Sequence, residues 1–255
     1  MSIPYSRYII GALPWYSVLI ITGVILAIAL CCHEEKRRKL PRDTVIDLAF
    51  WVIPLGLIGA RCYYVIFQWP LFAEYPLSIL RIWEGGLAIY GGVIGGLIGI
   101  LLFARRRRLN PLVLTDMIVP GLALAQCIGR WGNYFNMEAY GREITNAAWH
   151  FFPAGVQIPS PDGYTWHMAT FFYESCWNLL VFLLLWFIVR KRSHHPGQAT
   201  LWYMLLYGLG RAFIEGLRTD SLMSGSIRVS QLLSVALVLF SASILIFTHI
   251  RRKKT

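Results

Sequence analysis

The chain has 255 residues, of which 56% are hydrophobic and only 15% charged, and its mean hydropathy is +0.54. That composition excludes a disordered chain and is too apolar for an ordinary soluble domain. Lys and Arg number 24 against 13 Asp and Glu, a net charge of +11; in so apolar a chain this surplus bears on membrane orientation, and no nucleic-acid partner is expected.

Seven apolar segments follow one another, near residues 15–32, 46–68, 86–104, 111–129, 169–189, 198–217 and 229–250. Each approaches the roughly 20 residues that cross a bilayer as a helix. They predict an all-α polytopic membrane protein of about seven transmembrane helices, a single integral membrane domain over residues 1–255. The N-terminal stretch MSIPYSRYII lacks the basic region of a cleaved secretory signal, so the first span is expected to be retained.

Four basic runs follow the first, third, fifth and seventh spans: residues 33–42, Arg105 to Arg108, Arg190 to Arg192, and Arg251 to Lys254. All therefore fall on one side, which the positive-inside rule makes cytoplasmic, with anionic-lipid contact as a secondary role. The N-terminus is then outside and the C-terminus inside. Residues 130–168, between spans 4 and 5, become an outer-face region, a loop or helical element. The five cysteines, at 31, 32, 62, 127 and 176, lie in or beside apolar runs with no CxxC, and predict neither a disulfide framework nor a zinc site.

Charge in or beside a span is expensive and usually functional. With this orientation Arg61, Arg130 and Arg211 sit toward the outer ends of spans 2, 4 and 6, and Tyr16, Tyr90, Tyr173 and Glu174 toward those of spans 1, 3 and 5. Tyr207, Arg211, Glu215 and Arg218 fall within about 80° of one helical face at 100° per residue. Such a stripe should face other helices or a wet cavity. Arginine's planar fork suits a phosphate, so the stripe predicts an outward-facing site for an anionic lipid headgroup. The alternatives are an Arg211–Glu215 pair that only supports its helix and arginines that only snorkel to the interface.

Glycines 85, 86, 91, 92, 95, 96 and 99 make overlapping small-xxx-small patterns through span 3. They allow close helix packing, or the approach of a lipid or peptide backbone. Residues 129–142, GRWGNYFNMEAYGR, set two Arg, two Asn and one Glu among glycines and aromatics. That density of hydrogen-bonding groups predicts a catalytic or substrate-binding role.

The run Gly129 to Glu138 resembles the signature of the prolipoprotein diacylglyceryl transferases. Other stretches resemble that family in order along the chain: Trp15-Tyr16; Gly59 to Val65; Trp83-Glu84-Gly85-Gly86; His167 to Ser175; and Tyr207 through Arg218, followed by Asp220. The resemblance implies transfer of the diacylglyceryl group of phosphatidylglycerol onto the lipobox cysteine of a preprolipoprotein signal peptide, releasing glycerol 1-phosphate. It places the reaction at the outer face of the bacterial cytoplasmic membrane, among membrane lipids, with no metal or cofactor. Two positions depart from the family pattern. Tyr90 stands where many members have His, and Met168 replaces a Pro. A tyrosine, with an ordinary pKa of ~10, is a poor base but a good hydrogen-bond donor.

On that reading the substrate thiolate attacks the glycerol carbon that bears the phosphate ester. Arg130 and Arg211 hold the departing phosphate, and Tyr90 and Glu138 join them as catalytic candidates. Tyr16, Arg61, Asn133, Asn136, Gly141, Tyr207, Glu215 and Arg218 are the expected substrate-binding residues, with Glu215 a second candidate base. The competing classes are a lipid transporter or flippase binding an anionic headgroup, which should show an internal repeat; an intramembrane hydrolase, which lacks a G-x-S-x-G or HExxH motif here; and a structural membrane partner.

Overall fold

The computed structural model describes residues 6–11, 13–161, 163–193, 195–219, 223–224 and 227–252; His194, Asp220, Lys253 and Lys254 lie outside the described residues. The helices are α1 (Trp15–Arg37), α2 (Thr44–Phe67), the single turn α3 (Pro70–Ala73), α4 (Ile89–Arg107), α5 (Pro111–Asn136), α6 (Thr170–Leu183), the short α7 (Arg190–Arg192), α8 (Gln198–Glu215) and α9 (Val229–Arg252). A π-helical stretch, Leu184–Val189, joins α6 to α7, so one rod runs from Thr170 to Arg192. Among the described residues, six of these rods are long and apolar enough to cross a membrane. In the region of the sixth expected span, α8 is helical throughout, but Gln198, Arg211 and Glu215 dilute its apolar content. The chain is thus a mostly helical, polytopic integral membrane protein.

Two boundaries and the stretch after α5 differ from the sequence expectation. Helix α4 starts at Ile89, later than expected, because Gly85 and Gly86 both take positive φ, 92° and 69°, and turn the chain before it. Helix α5 continues past residue 129 to Asn136, so Arg130, Asn133 and Asn136 ride on its last turns. The stretch after it contains an antiparallel hairpin, β1 (Gly155–Ser160) with β2 (Gly163–Met168), and a second small pair, β3 (Met223–Ser224) with β4 (Ile227–Arg228), lies before α9.

The chain divides into two compact units, Cys31–Met117 and the combination of Met1–Leu30 with Ile118–Thr255. In the smaller unit α2 and α4 touch backbone to backbone. A Cβ at Gly95 would run into the Leu55 carbonyl and come within 3.2 Å of the Gly56 Cα, and one at Gly99 would lie 3.0 Å from the Trp51 carbonyl. Gly91 faces Gly59 in the same way. These glycines therefore serve helix packing, the first of the two meanings their spacing allows. By contrast, Gly92 and Gly96 have no neighbour nearer than 3.7 and 3.8 Å. Gly95→Ala should therefore destabilise the protein by about 1–3 kcal/mol, as overpacking does, while Gly92→Ala leaves it unchanged; thermal unfolding of the two variants in detergent, side by side, checks this.

In the larger unit α6, α8 and α9 pack together. Gly210 leaves room for the Trp177 indole, whose Nε1 donates to the Leu206 carbonyl at 2.9 Å, and Gly208 admits Val238 and the Ser234 carbonyl of α9. Val119, Ala123, Val181, Leu185 and Ala199 form the buried apolar centre. A second, aromatic core lies under the hairpin. Val156 and Ile158, two residues apart and so on one face of β1, meet Tyr134, Ala169 and Phe171, with Trp131, Phe135 and Phe152 around them. This core sets the end of α5 against the start of α6.

Candidate active site

Helix α5 stops at Asn136 through a pair of backbone bonds: Met137 N–H donates to the Tyr134 carbonyl at 3.1 Å and Glu138 N–H to the Asn133 carbonyl at 3.0 Å. This is the Schellman arrangement, and it needs a left-handed residue at its turn. Glycine usually fills that place. Here Met137 does, at φ 54°, and Ala139 follows at φ 58°. Each left-handed, non-glycine residue costs about 1–2 kcal/mol. The turn leaves Glu138 exposed, with its carboxylate accepting from Asn136 Nδ2 at 3.3 Å.

Beyond the turn the chain is stitched down. Gly141 N–H donates to the Met168 carbonyl at 2.9 Å and Arg142 N–H to the Leu217 carbonyl at 3.0 Å. Gly141 has no room for a side chain: a Cβ there would lie 2.7 Å from Met168 Cβ and 3.0 Å from the Leu217 carbonyl. His167 Nδ1 lies 3.0 Å from the Gly141 carbonyl. The glycine is thus required by backbone contact among β2, the start of α6 and the end of α8.

The charged residues of α5, α6 and α8 converge on one carboxylate, Glu174. Arg130 Nη2 lies 2.5 Å from its Oε1. Arg211 Nη1 donates to both of its oxygens, at 3.0 and 2.9 Å. Arg211 Nη2 also stands 2.6 Å from Glu215 Oε2, one turn along α8. That last contact is an ion pair by distance but lacks hydrogen-bond geometry, for Glu215 Oε2 has no hydrogen-bond partner. The side chains are 20%, 14%, 3% and 1% exposed for Arg130, Arg211, Glu174 and Glu215, so both carboxylates are interior and the arginines are less deeply buried. Tyr207, one turn before Arg211, is hydrogen-bonded to Arg130 and stacks on Tyr203 at 5.5 Å. Tyr203 in turn donates to Gln126 Oε1 at 3.0 Å. Tyr16 packs against Gly132, where a Cβ would come within 2.7 Å of its ring, and lies within electrostatic reach of Glu138 and Arg130.

Of the residues singled out in the sequence, the larger unit therefore joins Arg130, Tyr207, Arg211 and Glu215 in one ion-pair network, with Tyr16, Asn133, Asn136 and Glu138 on or beside the end of α5. Arg218 is placed differently from the sequence expectation. Helix α8 ends at Glu215, and Arg218 lies past it in an isolated bridge with Gly141, so it does not extend the helical stripe. The network also contains a residue that sequence reasoning leaves off the site, Glu174. Its signal is a lone acid in an otherwise apolar segment at the depth of the arginines.

Arg61 and Tyr90 belong to the smaller unit. Arg61 is buried, and its fork is spent on backbone carbonyls: Nε on Ile79 at 2.8 Å, Nη1 on Gly85 and Gly86 at 2.9 and 3.0 Å, and Nη2 on Ser78 and Arg81 at 2.7 and 3.4 Å. Its guanidinium carbon also lies 5.0 Å from the Phe72 ring centre. These bonds tie Arg61 to the loop between α3 and α4. Tyr90 sits in the first turn of α4, half-buried, with its ring 6.3 Å from that of Tyr63.

A polytopic membrane protein with a buried arginine–carboxylate network at the junction of three helices is the class defined so far. A profile of the family described as prolipoprotein diacylglyceryl transferase matches residues 7–247. The chain is 45% identical over 245 residues to the phosphatidylglycerol–prolipoprotein diacylglyceryl transferase of Limosilactobacillus reuteri (strain DSM 20016), across 94% of this chain and 87% of that one. It is 41% identical over 244 residues to the enzyme so named from Listeria monocytogenes serotype 4a, across 93% and 86%. With that of Streptococcus agalactiae serotype Ia it shares 41% over 234 residues, across 91% and 90%. The chain belongs to the prolipoprotein diacylglyceryl transferase family.

Proposed function

We propose that this protein transfers the diacylglyceryl group of phosphatidylglycerol to the lipobox cysteine thiol of a preprolipoprotein signal peptide, and that it does so at the outer face of the bacterial cytoplasmic membrane. The network of Arg130 and Arg211 around Glu174 carries the reading, together with family membership. Two guanidinium groups from different helices, neither side chain fully buried, form a cradle for one phosphodiester. The lipid-transporter alternative is not favoured, because the matching relatives are named as transferases. In this reading α8 is the sixth of seven spans, the basic runs face the cytoplasm, and residues 130–168 form the outer-face region of a single membrane domain.

The thiol has an ordinary pKa of ~8.5, so a fraction is thiolate near neutrality. Its sulfur attacks the glycerol carbon bearing the phosphate ester. A C–S bond forms, the C–O bond breaks, and the electron pair leaves with glycerol 1-phosphate. Arg130 and Arg211 stabilise the charge that builds on the departing phosphate. Tyr207, Asn133, Asn136 and Tyr16 orient the headgroup by hydrogen bonds, and Tyr90, in the smaller unit, is a further hydrogen-bond donor for phosphate. Gly141 and Arg218, joined by their bridge, shape the wall on that side. The thiol proton goes to Glu138, the exposed carboxylate, since Glu215 is buried against Arg211 and is the weaker choice of base.

The test is transfer itself. Purified protein with phosphatidylglycerol and a lipobox peptide should add one diacylglyceryl mass to the peptide, and a peptide with Ser in place of its Cys should gain nothing. A folded preparation that binds phosphatidylglycerol yet leaves the Cys peptide unchanged would overturn the transferase reading.

A further inference from the structure

The end of the smaller unit away from Arg61 holds a feature that transfer chemistry does not use. The start of α2 and the end of α4 flank an open cleft of about 590 Å³ lined by Asp47, Phe50, Trp51, Phe103, Arg106 and Arg107. That volume lies within the roughly 300–1,000 Å³ typical of small-molecule sites. Its chemistry is divided. Phe103 is 1% exposed and forms a buried apolar floor, while Phe50 is 74% exposed, on a helix that also exposes Ile46 and Ile53. Arg107 is ion-paired with Asp47. Arg106 is exposed and has no hydrogen bond or ion pair among the described residues. The three charged groups therefore leave a surplus of one positive charge, on an exposed side chain that lines an aromatic cleft. Four consecutive arginines, Arg105 to Arg108, keep the surrounding potential positive.

We infer that this cleft is a second phospholipid site, which takes the phosphodiester of an anionic phospholipid on Arg106 and lays its glycerol and upper acyl carbons along Phe50 and Trp51. Basic pockets between helices at the cytoplasmic surface suit anionic headgroups, and a lipid supplies both the charge and the apolar tail that the lining asks for. A small soluble anion would use only the first. The site lies at the basic end of α4, so on the proposed orientation it serves the inner leaflet, while transfer takes place at the outer face. It would hold a resident lipid and not a reacting one.

Native mass spectrometry of the delipidated full chain in detergent, titrated with phosphatidylglycerol or phosphatidylcholine, tests this. The wild type should bind one more phosphatidylglycerol than Arg106→Glu. The affinity lost for that lipid should be about tenfold or more, and phosphatidylcholine should not replace it. Phe50→Ala should weaken the same lipid by a smaller factor. Transfer activity of Arg106→Glu in detergent should match the wild type, and Arg106→Gln with an unchanged melting temperature covers a failure of the charge reversal to fold. The inference is overturned if both Arg106 variants keep the full lipid count, if phosphatidylcholine binds equally, or if glycerol phosphate alone binds as tightly as the lipid. Failure of peptide transfer with this lipid still bound would count against the proposed function and leave the second site standing.

Discussion

Replacing Arg211 with Lys is expected to lower diacylglyceryl transfer by about a hundredfold or more, and Arg130→Lys by a similar factor, since loss of one preorganised donor to a developing oxyanion has effects of that order. The reason is geometric. Arg211 reaches both oxygens of Glu174 with one nitrogen and a Glu215 oxygen with the other, so its plane is held on two sides. Lysine keeps the charge but not the fork. It cannot hold Glu174 and Glu215 while presenting a further N–H to a phosphate. Initial rates against phosphatidylglycerol concentration, with the peptide saturating, measure the effect. Full activity and unchanged lipid affinity in either Lys variant would remove that arginine from the cradle.

The second large effect is on the fold itself. Glu174→Ala should destabilise the protein by about 3–5 kcal/mol, the usual result of stripping one partner from an interior charge pair. Without that carboxylate Arg130 and Arg211 are left as like charges with Glu215 the remaining acid of the network. Glu174→Gln keeps the shape and an acceptor oxygen and should lose less. Thermal unfolding in detergent, compared with a surface control such as Glu84→Ala, measures both. An alanine variant that melts with the wild type would mean that the arginines find their place without Glu174.

The apolar rods and much of the charged stripe are legible in the amino-acid sequence alone. Arg211 and Glu215 stand four residues apart, and a helix puts such positions one turn from each other. What hides Glu174 is distance along the chain: 37 residues separate it from Arg211, and only the packing of α6 against α8 brings them together. The partners of Arg61 escape for a related reason. A sequence shows that an arginine sits in an apolar stretch, and that it needs partners, but those partners are carbonyls of a loop whose path depends on Gly85 and Gly86 taking positive φ. Placing Arg218 on the helical face extends the period past Glu215, where the helix ends. The β1–β2 hairpin is hard to see because GVQIPS and GYTWHM lack clean alternation and β1 carries a proline. The glycines of α4 are ambiguous in sequence, and the carbonyls facing Gly91, Gly95 and Gly99 settle them as packing residues.

The pairing of two guanidinium groups with two carboxylates gives the cluster itself no net charge. On the proposed reading, a phosphodiester enters with a single negative charge and leaves as a phosphate monoester, which carries about −1.5 to −2 near neutral pH. An uncompensated pair of arginines would hold that product harder than the substrate and slow every later cycle. Glu174 and Glu215 offset part of that attraction, so the arginines can stabilise the charge as it builds without holding the product as firmly as an uncompensated pair would. The same two acids that keep the arginines in place thus favour turnover, by limiting how tightly the spent headgroup is held.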